Sequence, residues 1–326
     1  MGQVSVREPV QGDPMLKVFT LSLLGLLLLA SPSPAQTVEQ RITNKWWTGN
    51  RNYPIGSTTS FSFTEVLFDG RYIWVGNFNG KSVSKIDPVY GTVIGTYATP
   101  GNVSGIIFDG ENIWATNRFS GSITKIRAST GAILGTYAVG SGPQSFAFDG
   151  AWLYVTLCDA NQVAKVNPST GVVAAKFSSG GSNPYGITFD GVNLWVSNAG
   201  SSGLKKLNTA GTVVATVATP SVTVYSVFDG TYIWVTNQTA NSVTKIVAAT
   251  AAVIGSYPVG TRPGGIDSDG TYVYVANQTS NTVSVLRSSN GSLLKTIPVG
   301  AAPLDVASDG ISLWTANNMT NAISRR

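Results

Sequence analysis

Histidine is absent from all 326 residues, cysteine occurs once, as Cys158, and only 11% of the residues are charged. Without histidine there is no Ser–His–Asp triad, no histidine-bearing zinc site and no imidazole general base. One cysteine excludes an intrachain disulfide framework, and a lone Cys158 reads as a small buried hydrophobe. Lys and Arg outnumber Asp and Glu by 21 to 16, a net charge of +5 spread thinly along the chain. A nucleic-acid binder concentrates its basic charge, so no nucleic-acid partner is expected. There is no phosphate-cradling glycine loop and no Gly-x-Ser-x-Gly elbow. No cofactor and no His/Cys metal centre is expected.

The apolar run over residues 18–30 is too short for a membrane span of roughly 20 residues, so no transmembrane segment is expected. It follows Lys17 and precedes Ser31-Pro32-Ser33-Pro34-Ala35. A basic residue, a short apolar core and small residues at Ser33 and Ala35 have the form of a secretory signal peptide. The expectation is a cleaved leader over residues 1–35, a secreted or periplasmic protein and a single domain over 36–326. Met15 stands at the natural start of such a leader, which leaves residues 1–14 open as an over-extended start.

What is present is a repeat. An Asp-Gly pair recurs at Asp69, Asp109, Asp149, Asp190, Asp229, Asp269 and Asp309, preceded by Phe in five copies and by Ser268 and Ser308 in two. A period of about 40 residues marks a solenoid, an array or a propeller, and the content of the unit decides which. Around Asp109 the chain reads as an apolar run to Phe108, a tight Asp-Gly turn, a second apolar run through Trp114 and a polar loop. Ser122-Ile123-Thr124-Lys125-Ile126 then alternates with period 2, and a turn at Gly131 leads to a fourth run. Asp-Gly between apolar runs signals a hairpin, here read as a two-residue turn that accounts for the aspartates without calcium. The fold expected is all-β: a seven-bladed β-propeller with four antiparallel strands per blade, acting as a monomer. A four-stranded sheet that is apolar on both faces must stack on copies of itself, and a radial ring leaves few exposed edges.

The large rings Trp74, Trp114, Tyr154, Trp195, Trp234, Tyr274 and Trp314 share one position, as inter-blade packing requires. The seventh unit ends at its third strand, while Tyr53-Pro54-Ile55-Gly56 matches Tyr257-Pro258-Val259-Gly260. The segment before Gly56 is therefore expected to complete blade 7 and close the ring. Lys85, Lys125, Lys165, Lys206 and Lys245 share a register and read as solvated residues near the outer rim, with a basic stripe for an anionic polymer as the alternative. The asparagines after the second strand (Asn77, Asn117, Asn198, Asn237, Asn277 and Asn317) are expected to bond neighbouring backbone.

The unit over residues 263–286, with Asp-Gly-Thr-Tyr-Val-Tyr-Val-Ala-Asn at its centre, resembles the YVTN family of β-propeller repeats. Asp-Gly-Thr-Tyr-Ile-Trp-Val-Thr-Asn over 229–237 is similar to related propellers that include virginiamycin B lyase and to NHL-type propellers. The resemblance covers residues 40–326. It implies an exported binding or scaffold propeller. The lyase of that superfamily depends on a catalytic histidine, and this chain has none, so that activity is not implied.

One fold hosts many functions, so the site is sought where the repeats differ. Residues just before the Phe-Asp-Gly motif approach the channel. There Glu65 and Asp305 hold equivalent positions in units that closure makes neighbours, and Asp267 lies in the next unit round. Aromatic residues outside the consensus accompany them: Trp46, Trp47, Phe61, Phe63, Phe78 and Phe119, with Arg118. The ligand site is expected at Glu65, Asp305, Asp267, Phe63, Phe78, Arg118 and Phe119, on the face bearing the longer loops. The partner is expected to be an extracytoplasmic polysaccharide, peptide or protein. The alternative is a lyase or hydrolase using Glu65 and Asp305 as an acid/base pair, or holding a divalent cation through oxygen ligands.

Overall fold

Each repeat spends its apolar residues unevenly, and that gradient sets its place in the ring. In blade 1 the innermost strand is Phe63–Phe68. The second strand, Ile73–Asn77, and the third, Ser82–Ile86, are buried along their whole length. The outermost, Val93–Ala98, is mostly exposed. The computed structural model describes residues 51–55, 63–201, 203–320 and 322–326. The expected leader at 1–35, with Trp46, Trp47 and Phe61, lies outside the described residues.

The described residues form seven four-stranded antiparallel sheets. Their innermost strands follow one another around the channel, and those of blades 7 and 1, Pro303–Ser308 and Phe63–Phe68, also touch. In the seventh sheet Arg51–Pro54 pairs with Ala322–Arg325, placing Tyr53 opposite Ile323. This is the expected closure, and Tyr53 stacks on Trp314 with centroids 5.9 Å apart. No described helix is long and apolar enough to cross a membrane.

The Asp-Gly turn differs from the expected two-residue hairpin. Phe68 pairs with Ile73, leaving a four-residue loop in which Gly70, but not Asp69, has positive φ. Asp69 Oδ1 accepts the N–H groups of Arg71 and Tyr72 at 2.8 and 2.6 Å. Its Oδ2 accepts the Trp74 indole N–H at 2.7 Å. In all seven copies the aspartate takes the N–H or O–H of the buried ring at 2.7–2.8 Å. The aspartate thus folds the loop and satisfies the one polar atom that the ring carries into the core.

The lysines also require correction. Lys85, Lys206 and Lys245 are buried. Each Nζ donates to a carbonyl in the third-to-fourth-strand turn of the following blade: Ala128, Ala248 and Ser288, at 2.6–2.7 Å. Lys125 reaches Pro168 in the same way at 2.8 Å. Each ammonium also lies 5.1–5.5 Å from the large ring of its own blade. Desolvation opposes burying an ammonium, and the arrangement holds because the carbonyls and the ring replace the lost partners. Blade 7 uses Arg325, which lies over Trp314 and donates to Val89 of blade 1. Blade 6 has buried Val285 at this position. The third and fourth strands of blade 7, Ala322–Arg325 and Arg51–Pro54, come from distant parts of the sequence, so no turn joins them. A blade-6 lysine would have no turn to reach.

A second staple runs through the same turns. A Cβ on Gly131 or Gly171 would lie 2.0–2.1 Å from the ring of Tyr97 or Tyr137 of the preceding blade. Both turns therefore need glycine for space as well as for positive φ. Where blade 5 has Ala251 instead, the preceding blade supplies the smaller Val217, and both belong to one core cluster. The recurring asparagines mostly bond side chains rather than the expected backbone. Asn77, Asn117, Asn237 and Asn277 each donate to hydroxyls of the third strand. Among the described residues, Asn198 bonds carbonyls alone.

Candidate functional site

The innermost strands do not run straight along the channel. In six blades the pairing of the first two strands slips shortly before the Phe-Asp-Gly motif, between Phe63 and Val66 in blade 1 and between Pro303 and Asp305 in blade 7. A bulge of this kind re-aims side chains. Here it governs two positions: Thr64, Ser104, Gln144, Tyr185, Val224, Gly264 and Leu304 in one ring, and Glu65, Gly105, Ser145, Gly186, Tyr225, Gly265 and Asp305 in the next.

Side chains of the second ring bridge to the following blade. Glu65 Oε2 accepts the Ile106 N–H at 2.8 Å, and Asp305 Oδ2 accepts the Val66 N–H at 2.9 Å. Asp267, nearer the hairpin end, accepts the Ser308 N–H at 2.7 Å. The acidic residues of blades 6, 7 and 1 are thus linked from strand to strand. Gly265 makes room for this, since a Cβ there would come within 2.0 Å of Asp305 Oδ1.

All three carboxylates line one cavity of about 310 Å³ in the channel, with Phe68, Phe146, Ile187, Tyr225 and Ser308 among its walls. Burial raises Glu65 well above the ordinary glutamate range, and the neighbouring Asp305 raises it further against the Ile106 N–H. Burial likewise pushes Asp305 up to about 7, opposed by the Val66 and Val306 N–H groups and aided by Asp267. Asp267 is raised to about 6, again mainly by burial, with the Ser308 and Ser268 N–H groups opposing. Two like charges this close do not ionise together at low cost. Near neutral pH Asp305, pushed up to about 7, is poised to exchange a proton. The site can donate and accept hydrogen bonds, and it can receive a cation in exchange for a proton. Among the described residues no group of three or more Asp, Glu or Cys side chains has the arrangement to hold a metal ion.

The remaining expected residues lie elsewhere. Phe63 begins the innermost strand of blade 1 opposite Asn77; its side chain is outside what is described. Phe78 and Phe119 meet edge to face at 5.8 Å, and Phe119 is exposed. Arg118 opens a short 3₁₀ turn, Arg118–Ser120, donates to Gln144 Oε1 and lies 3.7 Å from Asp159. None of Phe78, Arg118 or Phe119 lines the acidic cavity. Cys158 is buried, and burial with the Asp159 carboxylate pushes its thiol up to about 11.

Two channel tyrosines went unread in the sequence. Tyr225 lines the acidic cavity and also a second one of about 160 Å³ on the side of the second-to-third-strand loops. Tyr185 meets it edge to face at 5.3 Å, and the two hydroxyls are hydrogen-bonded. Aligning the seven repeats position by position gives the signal that finds them, because Tyr185 stands where blade 6 has Gly264 and Tyr225 where it has Gly265.

No protein-family model matches the chain, and no curated protein matches it in sequence. Solved structures match it closely in shape. A streptogramin B lyase is 16% identical with a TM-score of 0.75, over 85% of this chain and 96% of that one. Hydrazine synthase of Kuenenia stuttgartiensis is 20% identical with a TM-score of 0.71, over 83% and 97%. A catalytically inactive, histidine-to-alanine form of virginiamycin B lyase from Staphylococcus aureus, solved with quinupristin, is 17% identical with a TM-score of 0.73, over 85% and 98%. At such identities the likeness concerns fold alone: the chain is a seven-bladed β-propeller, the fold that these structures share with it.

Proposed function

We propose that this protein is an exported binding propeller whose channel recognises a cationic or donor-rich group of an extracytoplasmic polysaccharide, peptide or protein. The observation that carries the reading is the convergence of Glu65, Asp305 and Asp267 on one cavity of about 310 Å³. That volume is within the range of small-ligand pockets, in which a few polar groups fix orientation. A carboxylate raised by burial and a like-charged neighbour regains ionisation when a cation enters, which links binding to proton release. The leader-like residues 1–35 support export.

The test is thermal unfolding at pH 7 with amine-bearing probes, namely glucosamine oligomers and arginine- or lysine-ended tripeptides, beside their acetylated forms. A native-state ligand must raise the melting temperature. An amine probe is expected to stabilise the parent and release a proton on binding, but not to stabilise the Glu65→Gln/Asp305→Asn variant. Equal stabilisation of parent and variant, or by acetylated and free amines, contradicts the proposal.

A second reading rests on one observation: Asp305 is pushed up to about 7 beside Glu65, which burial raises well above the ordinary glutamate range. Two carboxyls with separated proton affinities are suited to general acid and base roles. It would make the channel a lyase or hydrolase site without histidine. Turnover of a bound probe that disappears in both single carboxylate variants would select it.

A further inference from the structure

The acidic cavity leaves the second channel cavity unexplained. That cavity, about 160 Å³, is lined by Thr64, Gly264 and Leu304 together with Ser104, Gln144, Tyr185, Tyr225, Gln238 and Gln278. No carboxylate faces it. Several of its polar groups have no hydrogen-bond partner among the described residues, although Thr64 donates to the Gly76 and Val103 carbonyls.

Ser104 Oγ is buried without a hydrogen-bond partner, and the residue is 2% exposed. Gln144 is 3% exposed. Its Oε1 is held by Arg118, which fixes the amide and leaves its NH₂ without a partner among the described residues. The side chains of Gln238 and Gln278 likewise make no hydrogen bond there, although their backbone N–H groups are anchored to Val222 and Arg262. Arg262 adds an exposed guanidinium at the wall.

Buried polar groups without partners are costly, and native structures fill such places with water or ligand. A volume of about 160 Å³ equals the share of roughly five waters in the liquid. It suits one ring-sized group, not an extended chain. Gln238 and Gln278 each present a donor and an acceptor side by side, and Gln144 adds the donor of its free NH₂. That pattern matches pairs of adjacent hydroxyls, each of which donates and accepts. Tyr185 and Tyr225 add an apolar face with a polar edge, against which the C–H face of a ring can lie. The lack of a carboxylate removes any preference for a cation.

We propose that this second cavity is a separate binding site, for a single uncharged, hydroxyl-rich ring such as one residue of a neutral oligosaccharide. It is independent of the acidic cavity, with which it shares only Tyr225. Gln238 and Gln278 hold the hydroxyls from blades 5 and 6. Gln144 and Ser104 complete the set from blades 3 and 2.

The experiment is titration calorimetry of the full mature chain with three neutral trisaccharides, cellotriose, maltotriose and chitotriose, and with triglycine as a peptide of similar size. At least one trisaccharide is expected to bind with a Kd below roughly 10 mM. The Gln238→Ala/Gln278→Ala variant is expected to weaken it about tenfold or more, the effect of losing one or two buried hydrogen bonds. Both glutamines are half-buried, so this variant should fold, and a parent-like melting temperature verifies it. Ser104→Ala should weaken binding without lowering the melting temperature, because the hydroxyl it removes has no partner. The Glu65→Gln/Asp305→Asn variant should bind the sugar within about threefold of the parent. The proposal is overturned if no trisaccharide binds, if triglycine binds in their place, or if the glutamine variant binds as the parent does. It is also overturned if the acidic-cavity variant loses the sugar, which would merge the two sites. Failure of amine probes at Glu65 and Asp305 leaves these outcomes untouched.

Discussion

Replacing Asp267 by Asn should stabilise the protein in mildly alkaline solution and do almost nothing in acid. Asp267 stands in the innermost strand of blade 6, and its Oδ2 accepts the Ser308 N–H of blade 7 at 2.7 Å. Asn retains an acceptor oxygen for that bond but carries no charge. Burial raises the Asp267 carboxyl from the ordinary 3.8 to about 6 in the folded protein. A carboxyl whose folded pKa is raised binds its proton more tightly in the native state. Its stabilising contribution is therefore complete below about pH 4 and is lost as pH rises through 6. The difference between 3.8 and about 6 corresponds to at most about 3 kcal/mol. Part of the side chain faces the cavity, so screening reduces this to roughly 1–3 kcal/mol. For a domain of this size that is about 2–10 °C of melting temperature. The assay is thermal unfolding of parent and Asp267→Asn at each pH from 4 to 8. The curves should converge below about pH 4, separate between pH 4 and 6 and keep a constant gap above that, with the variant higher. Parallel curves, or a variant that melts below the parent at pH 8, would refute the account of a buried and unfavourably ionised Asp267.

Asp109→Ala removes the acceptor of the Trp114 indole at 2.7 Å and of two loop N–H groups at 2.9 and 2.6 Å. It should cost about 2–4 kcal/mol in denaturant unfolding; a midpoint equal to the parent's would reduce the motif to a mere turn. Val285→Lys buries an ammonium where no turn carbonyl awaits it, and a loss of roughly 3–5 kcal/mol or failure to fold is expected. Lys245→Met keeps its stem and loses the bonds to Ser288 and Ser289, for about 1–3 kcal/mol; the reverse order of these two effects would defeat the staple. A chain beginning at residue 56 lacks Arg51–Pro54 and bares the edge of Ala322–Arg325. Size-exclusion chromatography should show association through that edge, and a stable monomer melting with the parent would contradict closure by this strand. Cys158, buried and pushed up to about 11, should resist a disulfide reagent in the native state at pH 8 and react once unfolded. Fast native labelling would show an open thiol.

Much of the fold could be read in one dimension. The seven Asp-Gly pairs announce blades because every copy must fold the same loop and hold the same ring, and a 40-residue period leaves little other geometry. Closure was legible because a fourth strand missing at Ile323 matched a spare one at Tyr53. The pairing of Glu65 with Asp305 could be anticipated from register, since equal positions in successive repeats become neighbours on a ring.

What the chain could not disclose is direction. Whether Lys85 meets solvent or the carbonyl of Ala128, 43 residues ahead, depends on how closely one blade stacks on the next. Period-2 alternation contains no such distance. The bulges that turn Glu65, Asp305 and Tyr225 into the channel interrupt that alternation, so strand patterning misplaces the side chains it most needs to place. Phe78 and Phe119 share the acidic residues' sector of sequence and yet meet each other outside the cavity. The repeat itself determined the ring, because local turns and core residues recur within each unit. The stacking of blades decided the site, because its contacts join residues about 40 positions or more apart, and the one from Asp305 to Val66 exists only once the ring has closed.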